Sequence, residues 1–380
     1  MRSLPNPTLQ ASTPLPIPGP THAGARGSAR SPAGVRGRRP RAFLTRAAII
    51  GLSGPQLTLD EVALLRAERP LGVILFRRNV VDVAQVAALT GAVREVLGEA
   101  APVLVDQEGG RVARLRPPHW PAFPAAASFA GGAAAAVRES ARAMGAMCLA
   151  VGLDVVCAPV LDVRMAGAHD VIGDRSFGGD PREVARLGGA VIEGLWAAGV
   201  TPVMKHVPGH GRALADSHHE LPRVDAGVAE LEQDLQPFRV VCANDGGAGV
   251  WAMTAHVLYP AWDADWPATL SARIIAKVIR GAVGFEGVLV SDDVAMGALA
   301  GVSNDLADAV IGAGCDVVLH CSGRLAESAA LLRATPALSD VSRARLGLAR
   351  AIARRERFEG GVVAAGAAGP DPTATGRDAA

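Results

Sequence analysis

Eight short apolar runs, separated by stretches with the spacing of amphipathic helices, constrain the fold of this chain more than any other feature. The runs are "AIIGL" (48–52), "GVILF" (72–76), "PVLVDQE" (102–108) and "LDVVCAPVLDV" (153–163). They continue with "PVMKH" (202–206), "VWAMTAH" (250–256), "GVLVSDD" (287–293) and "DVVLHC" (316–321). Between them lie segments such as "DVAQVAALTGAVREVL", "PREVARLGGAVIEGLWAAG" and "LSARIIAKVIRGAV". Continuous β-branched strands suit a parallel sheet covered on both faces, and strands alternating with helices suit βα units. Eight such units predict an α/β fold, a single (β/α)8 TIM barrel. A doubly wound open sheet is the second choice, but no G-x-G-x-x-G follows the first strand.

A barrel of this kind places its chemistry at the C-terminal ends of its strands. Six runs end in ionisable residues: Asp106 and Glu108, Asp162, Lys205 and His206, His256, Asp292 and Asp293, and His320. Burying so many charges separately would be costly unless they were paired. They are expected to converge on one mouth.

The bulk composition excludes several classes. A formal net charge of +1 gives no electrostatic footprint for nucleic acid. No apolar run approaches the ~18–20 residues of a membrane span. Five scattered cysteines lack zinc-site spacing and read as buried thiols in a reduced, cytoplasmic protein. Residues 1–46 hold eight arginines and no acidic residue, and are expected to be a disordered tail. "RRPRAFL" raises an export-signal reading, but Arg46 interrupts the apolar stretch, and "AAIIGLSG" reads as a strand. The folded domain is predicted to span 47–358, with a low-complexity tail over 359–380.

Four loops carry candidate chemistry. In "VSDDVAMGAL" one aspartate can cap the following helix while the other reacts. "VDQEGGRVARL" and "IGDRSFGGDP" present Asp106 and Arg175 at strand-to-helix turns, where they suit ligand hydroxyls or equally surface ion pairs. "KHVPGHGRALADSHHELP" (205–222) concentrates four histidines. A zinc set is conceivable there, but Pro208 and Gly209 break any helix between His206 and His210, and no H-E-x-x-H appears. A proton-transfer pair needs less: one imidazole oriented by a carboxylate. Asp216-Ser217-His218 supplies it, expected as an extended step with both side chains on one face.

Together "KHVPGHG", "ADSHHELP", "VDQEGGRV", "GDRSFGGD", "MTAHVLYP" and "VSDDVAM" resemble the family 3 glycoside hydrolases. More narrowly, they look like the bacterial β-N-acetylhexosaminidases of peptidoglycan recycling. The likeness covers 47–358, with the motifs in the expected order. It implies Asp292 as nucleophile and His218 with Asp216 as acid/base pair. It further implies sugar contacts at Asp106, Arg114, Arg175, Lys205 and His206, with no metal or organic cofactor. The implied partner is a small carbohydrate, GlcNAc-containing muropeptides, and the protein is expected to act as a monomer. Val207 departs from the phenylalanine usual in "KHFPGHG", a change expected to alter packing more than chemistry. Rival readings are a phosphorylase of the same fold, a metal-dependent barrel hydrolase and a non-catalytic sugar-binding protein.

Overall fold

All eight predicted runs form strands of one closed parallel barrel. The structure, a computed structural model, describes residues 44–243, 245–303 and 305–359. The barrel strands are β1 (Arg46–Gly51), β2 (Pro70–Leu75) and β3 (Val103–Val105). A two-stranded hairpin follows, β4 (Gln107–Gly109) and β5 (Val112–Ala113), and then the barrel resumes with β6 (Val155–Val156). It closes through β7 (Thr201–Val207), β8 (Trp251–Thr254), β9 (Leu289–Asp293) and β10 (Val317–His320), the last pairing with β1 at Ile49↔Leu319.

The covering helices are α1 (Leu59–Glu68), α2 (Val83–Leu97), α3 (Ala134–Ala150), α4 (Pro181–Ala197), α5 (Val228–Asp234) and α6 (Gln236–Ala243). After them come α7 (Leu306–Ala313), α8 (Leu325–Ala334) and α9 (Asp340–Glu359). Local chemistry sets their starts. Thr58 and Glu61 form a reciprocal capping box on α1, Asp82 caps α2, and Asp180 caps α4 ahead of Pro181. The segment predicted as a helix after β8 is wound as a π-helix over Ile274–Ala282, still burying Ile274, Ile275, Val278 and Ile279.

Side-chain alternation divides the core in two. Ile49, Leu104, Val203, Val290 and Leu319 share a cluster that fills the barrel axis. Their neighbours Ala48, Ile50, Val103, Val105 and Val318 face the helices, packing with Leu65, Val86 and Leu187. Leu338, Leu346 and Ala349 join the axial cluster and close the end where the strands begin. Asp316 fastens this plug, accepting Arg280 Nη2 at 2.8 Å, Arg345 Nη1 at 3.0 Å and Ser342 Oγ at 2.6 Å. The opposite end, where the strands finish, stays open and polar.

Two expected boundaries shift by one residue. Arg46 belongs to β1 rather than to the tail, because its guanidinium is taken up by Glu68 at 3.2 Å and by the Thr335 carbonyl at 2.9 Å. Glu359 still belongs to α9. Of the two predicted tails, residues 1–43 and 360–380 lie outside the described residues. Among the described residues, no helix is long and apolar enough to cross a membrane.

Candidate active site

The strand ends open into a cleft of about 600 Å³. Its lining brings together Asp106, Arg114, Arg175, Lys205, His206, Asp216, His218 and Asp292, the eight residues to which the resemblance assigns a role. Three other polar strand ends, Asp162, His256 and His320, do not line the cleft. They lie buried behind it: Asp162 bonds to His206 and His256 to the Asp293 carbonyl, while His320 faces Glu327 at 3.7 Å.

One wall is a chain of alternating charges. Asp106 follows β3 directly and accepts Lys205 Nζ at 2.9 Å and Arg114 Nη2 at 3.0 Å. Lys205, on β7 and 2% exposed, also meets Glu108 at 2.7 Å. Glu108 in turn takes Arg175 in a bidentate pair, both bonds 2.8 Å. Burial would raise both carboxyls, but the cations outweigh it. Asp106 is held far below the usual carboxylate range, and Glu108 is brought down to about 2. Burial likewise works against the cations, yet their carboxylate partners push Lys205 and Arg175 above their ordinary values. All four stay charged at neutral pH.

The local sequence builds this wall. Gln107 is buried, and its Oε1 accepts from Arg114 N at 2.8 Å and Leu115 N at 3.1 Å, which fixes the hairpin carrying Arg114. Gly109 turns the chain at φ +93°, and a Cβ there would lie 2.2 Å from the Pro124 carbonyl. Only glycine fits.

Asp292 and Asp293 both line the cleft but differ in their hydrogen bonds. Asp293 Oδ1 accepts the backbone N–H groups of Ala295 and Cys321, both at 2.9 Å, so it serves the turn. Asp292 Oδ1 accepts only Asp293 N, at 2.8 Å, and its carboxylate otherwise faces the cleft. Burial would raise Asp292. The His206 and His256 rings, the Asp293 N–H and the Lys205 ammonium outweigh that and hold it below the ordinary value. Asp293 moves the other way: burial, reinforced by Asp292, raises it against its two N–H donors.

The loop after β7 holds the His–Asp pair. His218 Nδ1 lies 2.7 Å from Asp216 Oδ1, which also accepts His218 N at 2.9 Å. Burial would raise Asp216, but these bonds and the nearby His218 and His219 rings together hold it below its usual value. The expected extended step is corrected here. Residues 217–219 form a turn, with His219 N and Glu220 N both donating to Asp216 O. An aspartate accepting its own i+2 amide competes with extended backbone, so the pair is made by a turn.

Two further groups, not assigned from the sequence, shape the loop. Asp162 is fully buried and accepts His206 Nδ1 at 2.7 Å, His206 N at 3.1 Å and His210 N at 2.6 Å. Burial opposes its charge, but the two histidines bring it down to about 2. His210 Nε2 touches Ser217 Oγ at 3.2 Å, and burial lowers the ring to about 4, keeping it neutral at pH 7. An aspartate inside an apolar run was the signal for Asp162, since a buried carboxylate demands partners. Glu108 carried a comparable signal, two residues beyond Asp106. Among the described residues, no group of three His, Cys, Asp or Glu side chains is arranged to hold a metal ion.

A carboxylate facing a polar cleft at the C-terminal end of a (β/α)8 barrel, with an aspartate-oriented imidazole on a loop beside it, is the arrangement of a barrel enzyme that moves protons. The profile of the glycosyl hydrolase family 3 N-terminal domain matches residues 52–351. The chain belongs to glycoside hydrolase family 3. It is 37% identical over 302 residues to a β-hexosaminidase of Bordetella avium, covering 76% of this chain and 83% of that one. It is 41% identical over 307 residues to a β-hexosaminidase of Alkalilimnicola ehrlichii, covering 78% and 86%. The solved structure of NagZ from Neisseria gonorrhoeae superposes with TM-score 0.68 at 30% identity, covering 82% of this chain and 98% of that one. A family 3 β-N-acetylglucosaminidase from a Paenibacillus gives TM-score 0.74 at 33% identity. That likeness covers 87% of this chain, which spans only 64% of the Paenibacillus protein.

Proposed function

We propose that this β-N-acetylhexosaminidase is a retaining exo-enzyme that releases terminal non-reducing N-acetylglucosamine through a covalent glycosyl-enzyme. Asp292 attacks the anomeric carbon as the bond to the leaving oxygen breaks. His218 gives that oxygen its proton. The same imidazole then takes a proton from water, whose oxygen displaces Asp292 and frees the sugar with retained configuration. Asp216 fixes the tautomer and stabilises the imidazolium. A histidine suits both halves of this cycle because an imidazole's ordinary pKa of ~6.5 lets it donate and accept near neutrality.

The observation that carries this reading is the division of labour at the end of β9: Asp293 is committed to two backbone amides, whereas Asp292 is ionised and turned to the cleft. The polar wall suits sugar hydroxyls. Asp106, Arg114, Arg175, Lys205 and His206 are assigned to substrate contact, with Glu108 orienting Arg175 and Lys205. The chemistry needs neither metal nor organic cofactor. GlcNAc-containing muropeptides in the cytoplasm are the proposed natural substrates, a reading supported by likeness to bacterial enzymes of this family, and the protein is proposed to act as a monomer.

The phosphorylase reading differs in one step, with phosphate in place of water. A single assay tests the set: release of aryl alcohol from a chromogenic β-N-acetylglucosaminide and from its β-glucoside counterpart, with and without phosphate. Preference for the N-acetyl sugar, free N-acetylglucosamine as product and no effect of phosphate are expected. Sugar 1-phosphate as main product would replace hydrolysis by phosphorolysis.

A further inference from the structure

A general acid must be held within hydrogen-bond reach of the oxygen it protonates. Yet the Asp216–His218 turn lies on the outer side of its loop, with the His218 side chain 60% exposed and that of His219 82% exposed. His210 reaches this turn only through Ser217. The backbone grip on the tip comes from the segment beyond Asp292. Gly297 N donates to His218 O and Ala298 N to Ser217 O, each at 3.1 Å. Both donors open the short 3-10 helix Gly297–Leu299.

That helix is tied to the strand that bears Asp292. Asp293 Oδ1 accepts Ala295 N, its carbonyl accepts Met296 N at 3.0 Å, and the same carbonyl accepts His256 Nε2 at 3.0 Å. His256 is itself fixed from the other side by Thr269 at 2.7 Å. Position 297 also has no room for a side chain. A Cβ there would lie 2.5 Å from His219 O, 2.8 Å from His219 C and 2.9 Å from His218 O. All three are backbone atoms of the loop. Gly297 does not use the left-handed region, so alanine would be excluded by the loop and not by its own backbone.

We propose that Gly297 is a positioning residue of the reaction: its N–H and its bare Cα dock the acid/base loop onto the nucleophile strand and so set the place of His218 relative to Asp292. The inference rests on the roles assigned above to those two residues. It explains why a loop with so exposed a tip still presents its imidazole to the cleft. An alanine at 297 pushes the turn outward by roughly half an ångström or more, and misplacement of about 1 Å costs on the order of 10²-fold in rate.

The test compares Gly297→Ala, Ala298→Pro and His218→Ala in the full chain. Each is assayed on two β-N-acetylglucosaminides, one with a dinitrophenyl and one with an alkyl leaving group, with and without azide. Azide attacks the glycosyl-enzyme without needing a base. Gly297→Ala is expected to lose about 10- to 100-fold in kcat on the alkyl glycoside, with KM little changed. On the dinitrophenyl glycoside its loss should be small and recovered by azide, with glycosyl azide formed, as for His218→Ala. A loss equal on both substrates and indifferent to azide, or no loss at all, overturns the proposal. Should Gly297→Ala fail to fold, Ala298→Pro, its fold checked by thermal unfolding, carries the same test, since it removes the second donor to the loop while leaving Gly297 in place. If His218→Ala shows no dependence on the leaving group, the acid/base assignment itself falls. If His218→Ala shows it and the Gly297 and Ala298 variants do not, only the positioning role falls.

Discussion

Changing Glu108 to glutamine keeps the shape of the side chain and removes its charge. In the native wall Glu108 is 7% exposed, paired twice with Arg175 at 2.8 Å and once with Lys205 at 2.7 Å. Neutralising one member of such a buried set strands the others and costs about 3–5 kcal/mol. Proton linkage gives a similar figure. Burial raises the carboxyl, Arg175 and Lys205 more than compensate, and the value falls from 4.5 to about 2. A drop of that size corresponds to about 3 kcal/mol of stabilisation at neutral pH. Because the folded-state value lies below the unfolded one, the contribution is fully present above pH 4.5 and is lost as pH falls towards about 2. Urea unfolding at pH 7, and at steps down to about pH 3, reads it. Wild type should exceed Glu108→Gln by about 3 kcal/mol at pH 7, and the gap should narrow once the pH drops below the unfolded-state value. Equal stabilities at pH 7, or a gap that stays constant down to about pH 3, would refute the reasoning.

Three further outcomes follow from the same geometry. Tyr259 OH donates to the buried Gly209 carbonyl at 2.7 Å, so Tyr259→Phe should cost about 1–3 kcal/mol in unfolding experiments by leaving that acceptor unmet. Dialysis against a strong chelator should leave the rate unchanged, since His206 and His218 are each engaged by an aspartate; activity lost there and restored by zinc would revive a metal reading. Deleting residues 1–42 should leave melting temperature and kinetic constants within error, because the composition offers little apolar surface to offset ordering entropy. Loss of activity on that deletion would mean that the domain begins earlier.

The barrel was legible because its evidence is periodic. Each strand had to be apolar on both faces, and each helix had to present one apolar stripe, so runs such as "GVILF" and "PREVARLGGAVIEGLWAAG" announce themselves without partners. Part of the candidate site was legible for a related reason: Lys205, Asp106 and Asp292 are charges at the ends of apolar strands, although Asp162, His256 and His320 share that feature and lie buried behind the cleft. What stayed hidden depends on distant pairing. Nothing near Glu108 reveals that Arg175, 67 positions away, will clamp it. Nothing near Gly297 reveals that two carbonyls about 80 positions earlier will occupy the space of its missing side chain. The turn at Asp216 escaped for a local reason, as an aspartate can satisfy its own i+2 amide and so override the extended reading.

The central claim is that Asp292, and not its neighbour, forms the bond to sugar. Incubation with a 2-fluoro sugar bearing a good leaving group, followed by proteolysis and mass spectrometry, tests it most directly. The account predicts one sugar per chain, attached to Asp292, and no label on Asp292→Asn although that variant still binds ligand. A label on Asp293, or turnover without any covalent adduct, would contradict it.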